Sequence, residues 1–202
     1  MSHTNTLDSQ AVLEAIKARR SFKIAALKTD DVAPELISTV LEAAQWAPSH
    51  GQTEPWHFTV FAGESRRALG DAFAEAYRQN CDDEGTVVPS TLEMHRGKVW
   101  NAPVWIALEF RPALRQDGQL KMPEIEELEA FSCSVQNLHL MASALGLGGQ
   151  WSSNFTSTHD SVAQFLGIQA PARLMGFFFL GWPDIPWPQG NRAPQEEKVT
   201  WK

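Results

Sequence analysis

With 202 residues, 43% of them hydrophobic and 20% charged, the chain has the material for one well-buried core, and we expect one domain over residues 1–202. A formal net charge of -7 argues against a nucleic-acid or anionic-membrane partner, because both require basic surface to release counterions. Any anion site must therefore be a local cationic cluster.

Asp8 and Ser9 are suitable N-caps for a first helix, in which Val12, Leu13 and Ile16 recur at helical spacing up to about Arg19. It ends in Arg19-Arg20-Ser21. A second helix starts at Pro34 after Asp30 and Asp31, with Leu36, Ile37, Val40, Leu41 and Ala44 as its buried stripe. It runs into residues 46–58, where Pro48 and Pro55 prevent the helix from continuing and Ser49, His50, Gln52 and Glu54 supply polar groups. Residues 56–61 alternate and are rich in aromatic and β-branched types, which reads as a strand ending at Gly63. Residues 64–81 carry Leu69, Phe73, Ala76 and Tyr77 at helical intervals, until acidic residues and Gly85 break the pattern. Residues 91–100 read as a helix, and residues 104–108 form a continuous apolar run suited to a buried strand.

Residues 111–123 read as a loop with Gly118 at a turn. The longest periodic segment, residues 124–147, combines an acidic start with Phe131, Val135, Leu138, Met141 and Leu145; Gly146, Gly148 and Gly149 should end it. An extended piece over 150–155, a short helix over 159–166 and a strand over 174–180 complete the pattern, followed by a tail too polar for the core. No glycine-rich strand-to-helix turn of the dinucleotide-binding kind occurs. The expected class is α+β, a small mostly antiparallel sheet flanked by helices.

Cys81 and Cys133 lack Cys-x-x-Cys spacing, and the six histidines form no close ligand pair, so neither a disulfide framework nor a metal site is expected. His139 reads as a satisfied packing residue, and His57 should point away from the face that Phe58 occupies. Residues 1–10 are polar without the basic start and apolar run of a signal peptide, and the apolar stretch 174–182 is shorter than the about 20 residues that span a bilayer. A cytoplasmic protein with no membrane partner is the expectation.

Arg19-Arg20-Ser21 offers two guanidinium forks and a hydroxyl for a phosphate monoester, or simply complements a helix C-terminus. The 46–58 segment is a site loop or a polar turn, and Gln150-Trp151-Ser152-Ser153 is a site wall or an edge strand. Their order decides between these readings: Arg-Arg-Ser after the first helix, Ala-Pro-Ser with Pro-Trp after the second, Gly-Leu-Gly-Gly-x-Trp after the long one, Phe-Leu-Gly-Trp-Pro at the last strand, and Arg-x-Pro-x-Glu-Glu near the end. This ordered set resembles the FMN-dependent nitroreductase family, particularly its short members with a His in the loop, over about residues 10–201.

The resemblance implies a nitroreductase-like fold in an intertwined homodimer, with FMN at the interface and NAD(P)H as co-substrate. Carried over by position, Arg19, Arg20, Ser21 and Arg192 would hold the phosphate. His50, Gln52 and Glu54 would approach the ribityl chain and ring edge, Trp151, Ser152 and Ser153 would line the other side, and residues 142–147 would lie near the nicotinamide nucleotide. Hydride would pass from NAD(P)H through flavin to nitro compounds, quinones or similar acceptors by a ping-pong mechanism, with no catalytic acid or base from the protein. Longer members commonly place Asn and Gln where this chain has Gln52 and Glu54. An anionic Glu54 would oppose anionic reduced flavin and lower its potential. A dehydrogenase or dehalogenase of the same fold, with residues 80–90 as its only candidate lid, and a flavin-binding redox sensor without turnover are the alternatives.

Overall fold

The computed structural model describes residues 8–202, apart from the side chains of residues 82–84, so the reading of residues 1–10 as lacking a signal peptide falls largely outside it. Its helices are α1 (Ser9–Ala18), α2 (Pro34–Gln45), α3 (Arg66–Glu84), α4 (Pro89–Gly97), α5 (Glu124–Ala144), α6 (Phe155–Thr158) and α7 (Asp160–Phe165). Its strands are β1 (Trp56–Ala62), β2 (Val104–Phe110), β3 (Gly148–Ser152) and β4 (Arg173–Gly181). They form one sheet in the order β1-β2-β4-β3, and each pairing is antiparallel.

Three layers follow from the period-2 patterning of the central strands. Every residue of β2 is buried, because helices cover both faces of the sheet. On one face Ile106, Leu108, Phe178 and Leu180 pack with Ile37, Val40 and Ala44 of α2 and with Phe131, Val135 and Leu138 of α5. On the other, Trp105, Ala107, Phe177 and Phe179 pack with Leu69, Phe73 and Ala76 of α3 and Val162 of α7. Helix α1 contributes nothing to either core: Val12, Leu13 and Ile16 are 48%, 43% and 49% exposed.

Two details differ from the sequence reading. The segment read as extended up to Phe155 turns at Asn154, whose side chain caps the four-residue α6, a helix too short to show a period. Of the three glycines expected to end α5, only Gly146 does so. At φ +76 it closes a Schellman motif, with Gly146 N–H donating to Ser143 O at 3.1 Å and Leu147 N–H to Ala142 O at 2.9 Å. Gly148 and Gly149 already belong to β3, where a Cβ on Gly149 would enter the Phe178 ring and lie 2.6 Å from Phe179 O. The close approach lets the chain after α1 dock against β3: Ser21 forms a parallel bridge with Gly149, and Phe22 N–H donates to Gly149 O at 3.1 Å. Arg19 and Arg20 are thereby held against α5.

Candidate functional site

The bridge places the end of α1 beside α5 and the C-terminal tail. Lys17, Arg19, Arg20 and Arg192 line one cavity of about 450 Å³ together with Ile16, Gln136, Gly190 and Asn191. Such a concentration of cations in an acidic protein requires an explanation. Burial, then Arg192, then Arg20 lower the Arg19 pKa from its ordinary value, as expected where like charges meet away from bulk water. No carboxylate is ion-paired with any of these cations among the described residues. The cavity therefore has a positive potential that an anion would offset.

Arg20 is fixed mainly by carbonyls, Nε donating to Pro188 O at 2.9 Å and Nη1 to Arg19 O at 2.7 Å and Lys17 O. Gly190 lies so close to this guanidinium that a Cβ there would collide with it. Trp187 completes the strap, its indole N–H donating to Ala18 O at 2.7 Å and its ring meeting buried Phe22 edge-on at 4.9 Å. Gly190, Asn191 and Arg192 of the tail thus form a wall of the cavity, where the family resemblance put Arg192 although the polar composition of the tail did not. Ser21 is exposed at the rim, its hydroxyl 3.5 Å from Arg19 Nη1.

The loop after α2 forms a second region. Trp56 Nε1 donates to Gln45 Oε1 at 3.0 Å and ties the loop's ends together, while Glu54 N–H donates to Ser49 Oγ at 3.2 Å. Between these ties Gln52 and Glu54 adopt φ +52 and +48, conformations that residues with a Cβ rarely adopt and that often occur at functional sites. Gln52 and Glu54 line a cavity of about 560 Å³ with Trp46, which is 81% exposed. Trp187 and Trp201 are exposed as well, whereas Trp56 and Trp105 are buried. His50 opens on the other side, into a cavity of about 470 Å³ with Glu129 and Cys133, its Nδ1 2.5 Å from Glu126 Oε2. Cys133 and Gln136 lie one turn apart on α5, so an exposed stripe of this helix connects the His50 cavity to the cationic one.

Trp151, Ser152 and Ser153 lie at the end of β3. The Trp151 indole N–H donates to Met175 O at 2.7 Å and the buried Ser152 hydroxyl lies in a network with Asn154 and Ser157, while Ser153 is exposed. What Trp151 and Ser152 offer a ligand is thus surface and backbone. Within one chain Arg19, Arg20 and Arg192 share a cavity, Gln52 and Glu54 share another, and His50 opens into a third.

His139 was read as packing, and its 8% exposure agrees, but it also touches the cationic cluster. Nε2 lies 2.9 Å from Arg20 O and Nδ1 3.4 Å from Arg19 Nη1. Its partners stand about 120 positions away in sequence, so no local pattern announces them.

The model of the nitroreductase family matches residues 16–182. A Bacillus subtilis (strain 168) protein named "Putative NAD(P)H nitroreductase YfhC" is 27% identical over 202 residues, covering 99% of each chain. A nitroreductase-like family protein from Bacillus cereus superposes with a TM-score of 0.77 at 25% identity over 98% of each chain. The FMN-dependent nitroreductase NfnB of Mycobacterium smegmatis, in complex with NADPH, has the same fold, with a TM-score of 0.70 at 21% identity over 96% of this chain and 99% of that one. The fold is the α+β arrangement expected from the order of helices and strands, and the chain belongs to the nitroreductase family that the ordered motifs resemble.

Proposed function

We propose that this protein is an NAD(P)H-dependent flavin oxidoreductase, residues 1–202 acting as one FMN-binding domain of a homodimer. The observation that carries the reading is the cavity of Lys17, Arg19, Arg20 and Arg192, whose uncompensated positive charge, with Arg19 and Arg20 partly buried and Arg192 exposed, fits a phosphate monoester. Family membership selects FMN as that phosphate's carrier. Arg19, Ser21 and Arg192 bind the phosphate, and Arg20 shapes the wall while contributing charge. His50, Gln52 and Glu54 face the ribityl chain and ring edge, and the end of β3, with Trp151, Ser152 and Ser153, borders the other side.

FMN held here would supply the redox chemistry, hydride transfer from NAD(P)H to a nitro compound, quinone or similar acceptor in ping-pong order. The chain's own groups orient it, exclude water from one side and set the charge at its edge. The half-exposed apolar stripe of α1, Val12, Leu13 and Ile16, supports the dimer, because a helix with no buried residue in one chain needs a second surface to cover it. The test is spectroscopic. Anaerobic NADH or NADPH should bleach the yellow holoprotein within a turnover, and a nitroaromatic or quinone should restore the colour. Colourless protein with no affinity for added FMN, or flavin that neither nucleotide reduces, refutes the proposal.

A further inference from the structure

We propose that His139, on α5, is a positioning residue for the phosphate site. Its two ring nitrogens fix the Arg19 guanidinium and the Arg20 carbonyl, and so set how strongly the site prefers FMN over riboflavin; this rests on the reading of the cationic cavity given above.

The geometry dictates the tautomer. Nε2 faces Arg20 O at 2.9 Å and must carry the proton, because a carbonyl only accepts. Nδ1 is then the acceptor, and it faces Arg19 Nη1 at 3.4 Å, a long hydrogen bond. The ring cannot readily turn away: it is buried and meets Phe178 edge-on at 5.0 Å. One side chain thus holds two consecutive residues, one by its carbonyl and the other by its guanidinium.

A neutral acceptor suits this place. Arg19 is repelled by Arg192 and Arg20, and a nearby lone pair steadies its guanidinium without cancelling its charge. An Asp or Glu at 139 would pair with Arg19 and compete with the incoming phosphate. Burial holds the imidazole well below its ordinary range, at about 4, with the Arg20 carbonyl opposing that shift and Arg19 adding to it. The charge that faces it is that of Arg19, while Arg20 presents its carbonyl, and with burial dominant the neutral form persists at physiological pH.

The test compares FMN with riboflavin, which lacks the phosphate. Flavin-stripped full-length protein is titrated with each, following quenching of flavin fluorescence. His139→Phe keeps an aromatic ring but loses both hydrogen bonds, whereas His139→Gln keeps a donor near the Nε2 position. Expected is an about tenfold loss of FMN affinity in H139F with riboflavin changed less than about twofold, and a smaller loss in H139Q. If H139F fails to fold, H139Q alone decides, since a reduced FMN-to-riboflavin ratio is still expected. Equal weakening for both flavins, or no change for FMN, overturns the role of His139, because a merely structural residue would not discriminate a phosphate. The control is Arg19→Ala. If R19A leaves the FMN-to-riboflavin ratio intact, the phosphate-site reading itself is wrong; if R19A collapses the ratio and His139 variants do not, only the positioning role is refuted.

Discussion

Glu54 and His139 each carry a consequence that can be measured, one at the proposed flavin edge and one in the pH dependence of folding. Glu54 adopts φ +48 in an open cavity and makes no ion pair among the described residues, so its carboxylate is free to act on whatever lies beside the loop. Replacing it with Gln should raise the two-electron midpoint potential of bound flavin by on the order of 10–20 mV, the equivalent of a weak exposed interaction. An unchanged or lower potential, read by equilibration with a redox dye, removes Glu54 as a determinant. His139 links charge to folding instead. Its folded pKa, about 4, lies below the ordinary 6.5, so the unfolded chain binds the proton more tightly. Stability is therefore complete above about 6.5 and falls as pH drops towards 4, by up to about 3 kcal/mol. Urea unfolding at pH 7 and pH 4.5 should show a larger acid loss in the wild type than in H139Q.

At the scale of elements, the junction from α5 into β3 controls the site. Gly149 lets the residues after α1 reach the sheet, and a methyl group there meets Phe178 and the Phe179 carbonyl, neither of which is the movable end of a side chain. Gly149→Ala should cost about 1–3 kcal/mol in chemical unfolding and weaken FMN retention together, since the strain falls on the bridge that seats Arg19. The sequence showed that glycines stood here but not why. A helix end is a local signal, whereas the approach of Phe178 comes from a strand about thirty positions later. The same distinction runs through the fold: β2, α2 and α5 are strongly periodic or continuously apolar and were readable, and His57, placed by the alternation of β1 opposite Phe58, is exposed. The cationic cavity was readable only through the order of the motifs. The second role of His139 was not, because its partners come from the other end of the chain.

For the whole molecule, α1 presents the clearest unfinished surface. Val12, Leu13 and Ile16 repeat at the spacing of a buried stripe and remain half-exposed in a single chain. In an isologous dimer each residue counts twice, so Leu13→Asp removes about 2 kcal/mol of apolar burial per copy and weakens association roughly a thousandfold. Sedimentation should show monomers at micromolar concentration, with FMN lost alongside; a dimer that survives L13D excludes α1 from the interface.

The cationic cavity joins Lys17–Arg20, Gln136 and Gly190–Arg192, residues from near both ends of the chain and from its middle. Such a pocket exists only when the entire polypeptide is in register, so occupancy and cooperative folding draw on the same equilibrium. At a hundredfold excess over its Kd, FMN should add about 2.7 kcal/mol to unfolding. The melting temperature of the full chain then climbs with FMN concentration, whereas a chain ending at Pro188 melts at nearly the same temperature with or without it.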